Sequence, residues 1–175
     1  MLSAVYTYKN SAWRNLTHRL KGVDTLSSAY TFYAGEVKVA GLYNYVLSPS
    51  SRIEVDGEHL LLKRQNRVIL FTQYYTLERD GRTLATAKET KSFQSRSQIS
   101  YEVEGHSREL TLRVNVWKLR GRQYLLLDGQ ERVGVIEFNS DFGADIDLPT
   151  VIPLAVQIFI FKVASIMWQR GGPNG

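Results

Sequence analysis

The residues of this chain best suited to chemistry are its clustered cations. Lys63, Arg64 and Arg67 fall within the five-residue run KRQNR, which reads as a hairpin loop. Lys118, Arg120 and Arg122 flank a second turn, and Lys88, Lys91 and Arg96 surround a serine-rich loop. Cations at loop tips suit the non-catalytic capture of an anionic partner. Against an anionic membrane each Lys or Arg is worth about 1 kcal/mol. The competing reading is a solvated loop that binds nothing. Nucleic acid is the less favoured partner, because it calls for aromatic rings interleaved with cations on an exposed face. Tyr74, Tyr75 and Trp117 could serve, but such residues are also ordinary barrel-wall residues.

No catalytic constellation stands out, and neither a metal site nor a cofactor is expected. The three histidines, His18, His59 and His106, are far apart, and the last two sit beside turn glycines. Asp141, Phe142 and Gly143 spell the kinase magnesium motif, but the glycine-rich loop and catalytic-loop signature that give it meaning are missing. With Asp145 and Asp147 these residues could form a loose cation site, although helix-start electrostatics explains the two acids more simply. There is no Gly-x-Ser-x-Gly, phosphate-binding loop or dinucleotide fingerprint. A pair of catalytic carboxylates is assembled by the fold, and no two acids are marked out for that role.

Composition narrows the class further. The chain has 175 residues, a net charge of +5 and no cysteine. One domain over residues 1–170 is expected, with a disordered tail at 171–175. Disulfides, thiolate catalysis and cysteine-held metals are ruled out. The first fifteen residues lack a basic region followed by an apolar run, so no signal peptide is expected. The expectation is a cytoplasmic protein, with peripheral attachment to a membrane as the finer form of it. The positive charge fits either plain solubility or attraction to an anion.

The elements that must position these cations read as strands. Segment 11–21 is ambiguous: Trp13, Leu16 and Leu20 share a helical face, yet a strand fits nearly as well. From Tyr30 onward the period is two. Asp56-Gly57, Asp80-Gly81 and Asp128-Gly129 are hairpin-turn pairs, since both positions tolerate positive φ. Glu104-Gly105 and Arg120-Gly121 are weaker signals of the same kind. Leu110, Leu112, Val114 and Val116 alternate on one strand face. About ten to twelve hairpin-linked strands imply a sandwich or a barrel.

The run PLAVQIFIFKVASIMW at 153–168 is the one long hydrophobic stretch. As a membrane span it is marginal. Eight apolar residues supply roughly −2.5 to −5 kcal/mol, and a central lysine takes back about 2.5–3.5. Lys162 is that lysine, and Gln157 adds to the cost. As a core helix it fits better, because sixteen residues at 1.5 Å match the height of a strand wall. Thr150 is a candidate cap, Pro153 belongs in the first turn, Asp145 and Asp147 suit the positive end, and Arg170 suits the negative end.

A series of hairpins closed by one hydrophobic helix resembles the tubby-like superfamily, which includes the tubby C-terminal domain, the phospholipid scramblases and the LURP-one-related proteins. The resemblance covers about 68–170. It is carried by the strand–turn–strand unit YTLERDGRTLA at 75–85, by the return strand QERVGVI at 130–136 and by DIDLP at 145–149 ahead of the helix. It implies a closed barrel of roughly twelve strands around the C-terminal helix. It also implies a non-enzymatic role in binding phosphoinositides or other membrane lipids. No basic motif aligns with the tubby lipid-binding residues. The scramblases' proline-rich N-terminus, cysteine cluster and calcium loop are missing too.

The expectation is therefore a mainly β protein: a closed antiparallel barrel of about 10–12 strands around a central C-terminal helix. Its expected function is the non-catalytic binding of anionic phospholipid headgroups or of a protein partner. The first alternative is a tail-anchored membrane protein. The second is a small barrel enzyme or carrier of hydrophobic ligands, which requires an open apolar cavity.

Overall fold

The computed structural model describes residues 1–7, 26–45, 50–67, 72–90, 96–115, 123–139 and 143–171. Strands β1 (Leu2–Thr7), β2 (Leu26–Ala34), β3 (Val37–Tyr45), β4 (Ser50–Val55), β5 (Glu58–Arg67) and β6 (Thr72–Arg79) form the first half. Strands β7 (Arg82–Thr90), β8 (Arg96–Val103), β9 (His106–Val114), β10 (Gln123–Asp128), β11 (Glu131–Phe138) and β12 (Ala144–Asp147) form the second. Each strand pairs antiparallel with its neighbours in sequence, and β12 pairs with β1, so the sheet closes. Closure leaves no unpaired edge. Segment 11–21 lies outside the described residues.

Alternation aims one set of side chains inward: Leu60 and Leu62 on β5, Tyr75 and Leu77 on β6, Ala85 and Ala87 on β7, Leu110 and Leu112 on β9. Helix α1 (Leu154–Gly171) fills the space they surround. Ile158, Phe159, Ile160, Phe161, Val163 and Ala164 have no exposed surface. Phe161 meets Tyr30 and Phe32 edge-on at 4.9 and 5.2 Å, and Phe138 stacks on Trp168 at 4.8 Å. The middle of the helix and its C-terminal part are thereby tied to the wall. No helix among the described residues is long and apolar enough to cross a membrane.

The turns sort into two ends. Asp56-Gly57, Asp80-Gly81 and Glu104-Gly105 all have positive φ at both positions, as a type I′ hairpin requires. The third is thus as regular as the first two. The Asp128-Gly129 expectation is corrected by one residue. Asp128 closes β10 opposite Glu131, and Gly129-Gln130 forms the turn. A register shift between Leu126 and Leu127 absorbs the extra residue, which sequence spacing alone does not reveal.

Four further expectations change. The 63–67 run is not a hairpin loop: it is the last part of β5, paired with β6 from Arg64↔Tyr75 to Arg67↔Thr72. A polar composition there reflects the nearby strand end rather than a turn. The helix begins at Leu154, with the Pro153 carbonyl accepting from the backbone N–H groups of Val156 and Gln157. Thr150 lies in the preceding turn and is not the cap. Asp145 and Asp147 are exposed β12 residues, and the first helical turn carries no acid. Gly171 belongs to the helix rather than to the tail, and 172–175 lie outside the described residues. Gln157, a poor residue for a membrane span, is buried and useful here. Its side-chain amide donates to the Ile152 carbonyl at 2.8 Å and pins the chain's entry into the helix.

Candidate anion-binding site

Antiparallel order sends successive connections to opposite ends of the barrel. At one end the short turns carry Glu36, Asp56, Asp80 and Glu104 and no cation. The segments that connect the strands at the other end are, in sequence, basic. They hold Lys9, Arg14, Arg19, Lys21, Lys91, Lys118, Arg120 and Arg122 against Asp24 and Asp141. These segments lie outside the described residues, so the site is built from the strands beneath them.

On the outer wall near that end the strand registers bring cations together. Arg96 on β8 stands directly opposite Arg113 on β9, and both are exposed. Lys88 on β7 faces Gln98 of β8, which puts it diagonal to Arg96. On its other side Lys88 faces Tyr74 of β6, with the ammonium 6.0 Å from the ring centroid. Among the described residues no carboxylate forms an ion pair with Lys88, Arg96 or Arg113. Like charges directly opposed across strands destabilise a sheet, so this arrangement is costly unless an anion relieves it. Beyond Arg113 the wall continues with partly buried Leu125 and Val135. The patch therefore joins three cations, a tyrosine and an apolar margin.

The other expected residues divide. Lys63 faces outward but is held by Glu78, 2.6 Å from its ammonium, so it is less available to a ligand. Arg67 ends β5 at the basic end. Lys91, Lys118, Arg120 and Arg122 fall outside the described residues. Arg64 shares the inward parity of Leu60 and Leu62, which separates it from the outer patch. Arg113 was not singled out from the sequence. The available signal was the Glu104-Gly105 turn: counting outward from it pairs Val103 with His106 and carries the register to Arg96 and Arg113. His59 and His106 are exposed at the opposite, acidic end.

Inside the wall at the basic end lies a polar layer. Glu89 is only 5 % exposed and accepts a hydrogen bond from the Tyr75 hydroxyl at 3.0 Å. The same hydroxyl lies 2.8 Å from Gln73 Oε1, a second acceptor for its proton. Burial, reinforced by the Glu89 charge, pushes the Tyr124 phenol well above the usual tyrosine range. Ser97, opposite Glu89 on β8, is fully buried and its hydroxyl has no partner among the described residues.

At the acidic end an open cavity of about 770 Å³ lies between the β8–β9 hairpin and segment 149–152. Val103, Leu110, Val133 and Ile152 share its lining with Arg108 and Asp128. Apolar residues of the central helix fill the barrel axis itself. Comparison of the chain with protein-family models, with curated proteins and with solved structures gives no match.

Proposed function

We propose that this protein is a non-catalytic module that binds anionic phospholipid headgroups through the outer wall of β6–β9. The observation that carries the reading is the Arg96/Arg113 cross-strand pair, flanked by Lys88 and left without a carboxylate partner among the described residues. A sheet with no anion to meet gains nothing from opposed guanidiniums. Tyr74 beside Lys88, and Leu125 and Val135 beyond Arg113, give the patch the mixed character of a membrane interface. Bases would need several exposed rings, and this patch offers one.

The order of twelve strands followed by one helix inside the barrel also supports assignment to the tubby-like superfamily, which we offer as part of the same proposal. Attachment would be peripheral. The test is flotation with vesicles containing phosphatidylserine, comparing wild type with K88E/R96E/R113E. Binding by wild type that falls in the variant and weakens with salt supports the reading. Equal flotation of the two proteins contradicts it, and binding to an acidic protein instead of vesicles would favour the protein-partner alternative.

A further inference from the structure

We propose that the cavity at the acidic mouth of the barrel binds a small apolar zwitterion, a free amino acid or a short peptide, with Arg108 holding its carboxylate and Asp128 its ammonium. The cavity measures about 770 Å³, within the roughly 300–1,000 Å³ of small-molecule sites. The strand pattern builds one side of it. Tyr101 and Arg108 are direct partners across β8 and β9. Arg108 shares the parity of buried Leu110 and Leu112 but lies beyond them at the strand's start, where it is exposed. The wall therefore brings Arg108 to the barrel mouth and not to its outer face. Asp128, the last residue of β10, adds a carboxylate to the same lining. Segment 149–152 supplies another side, and it is held in place. The Ile152 N–H donates to the Pro149 carbonyl at 3.0 Å, and the buried Gln157 amide donates to the Ile152 carbonyl at 2.8 Å.

The two charges are placed for a ligand rather than for each other. Both line the cavity and both act on the Tyr101 phenol: burial raises its pKa, Arg108 lowers it and Asp128 raises it. Yet among the described residues neither forms an ion pair, with the other or with a third group. Glu109, a further acid of the lining, accepts a hydrogen bond from the Gln98 amide at 3.3 Å. A separated cation and anion in one cavity are complementary to a molecule that carries both signs. The guanidinium fork matches a carboxylate, and the Asp128 carboxylate accepts from an ammonium. Val103, Leu110, Val133 and Ile152 supply the apolar surface that favours a hydrocarbon side chain on that molecule. Val151, on the same lining, is 77 % exposed, and such a ligand would cover it. The site lies at the opposite end from Lys88, Arg96 and Arg113, and it does not depend on their binding lipid.

The test is titration of the whole chain with free leucine and with leucyl-leucine, followed by backbone amide shifts in the nuclear magnetic resonance spectrum. Saturable shifts are expected in the β8–β9 hairpin and in segment 149–152. Isoamylamine and isocaproate carry the same hydrocarbon body with one charge each, and both should bind at least about ten-fold more weakly than the zwitterion. R108Q and D128N should each weaken zwitterion binding by a similar factor. Both replace exposed side chains, so they should keep the wild-type unfolding midpoint, and lost binding then reports the site and not the fold. K88E/R96E/R113E should bind the zwitterion as wild type does, which separates this site from the outer wall. Saturation by free leucine identifies an amino acid as the ligand, and saturation by leucyl-leucine alone identifies a peptide. No saturable shift with either one, equal binding of a singly charged analogue, or unchanged binding in R108Q and D128N overturns the proposal.

Discussion

Arg96 on β8 and Arg113 on β9 are direct cross-strand partners, both exposed on the outer wall, with Lys88 on the diagonal. Reversing one charge should convert repulsion into attraction. R113E is expected to raise the unfolding free energy by about 0.2–1 kcal/mol, measured by urea denaturation at low salt, and to weaken vesicle binding. A variant that is more stable and binds less separates the patch's function from its contribution to folding. A loss of stability would mean that Arg113 has a structural partner.

Residues on the two faces of the wall differ in how well the sequence announced them. The outer patch needed only the Glu104-Gly105 turn and a count along two strands, so half of it was legible. The inward direction of Arg64 was not. It depends on the parity of β5, and a run of five polar residues hides that parity because none of them marks the core side. The helix was legible from Gln157 and Lys162, which weaken it as a membrane span. Its starting residue was not, because Pro149, Thr150 and Pro153 offer competing starts and only the structure shows the first helical bonds running to the Pro153 carbonyl. The β10–β11 turn was displaced by a bulge, which leaves no periodic signal.

The Tyr75 hydroxyl donates a hydrogen bond to the buried Glu89 carboxylate. Y75F should therefore destabilise the protein by about 1–3 kcal/mol, the cost of a buried acceptor that loses one of its partners. E89Q in the Y75F background should recover part of that loss, because it removes the buried charge that had lost this bond. Denaturant titration of the two variants measures both effects.

Lys162 sets a pH dependence with a definite sign. Its folded pKa is about 8 against an ordinary 10.5. Below pH 8 the lysine is protonated in both states, and its burial cost is present in full. Between pH 8 and 10 the unfolded chain binds more protons, so stability rises with pH. The gain is on the order of 2–3 kcal/mol. Near pH 10 the trend turns over, because burial holds the pKa values of Tyr30, Tyr101 and Tyr124 above their ordinary value. Urea midpoints should trace this rise in wild type, and K162M should lack it. A rise that persists in K162M would assign it to another group.

Gly134 on β11 lies against segment 147–148. A Cβ there would meet Leu148 Cδ2 at 2.7 Å and the Asp147 carbonyl oxygen at 2.9 Å. The backbone oxygen cannot swing away as a side chain can. G134A should cost about 1–3 kcal/mol, read as a lower urea midpoint with an unchanged slope.

The most direct test of the account is vesicle flotation of wild type beside K88E/R96E/R113E, with phosphatidylserine vesicles at low and high salt. Wild type is expected to float at low salt and to release as salt rises, while the triple variant stays in the dense fraction and keeps its unfolding midpoint. Wild type that does not float, or a triple variant that floats equally well, would contradict the claim that this outer wall is the binding surface.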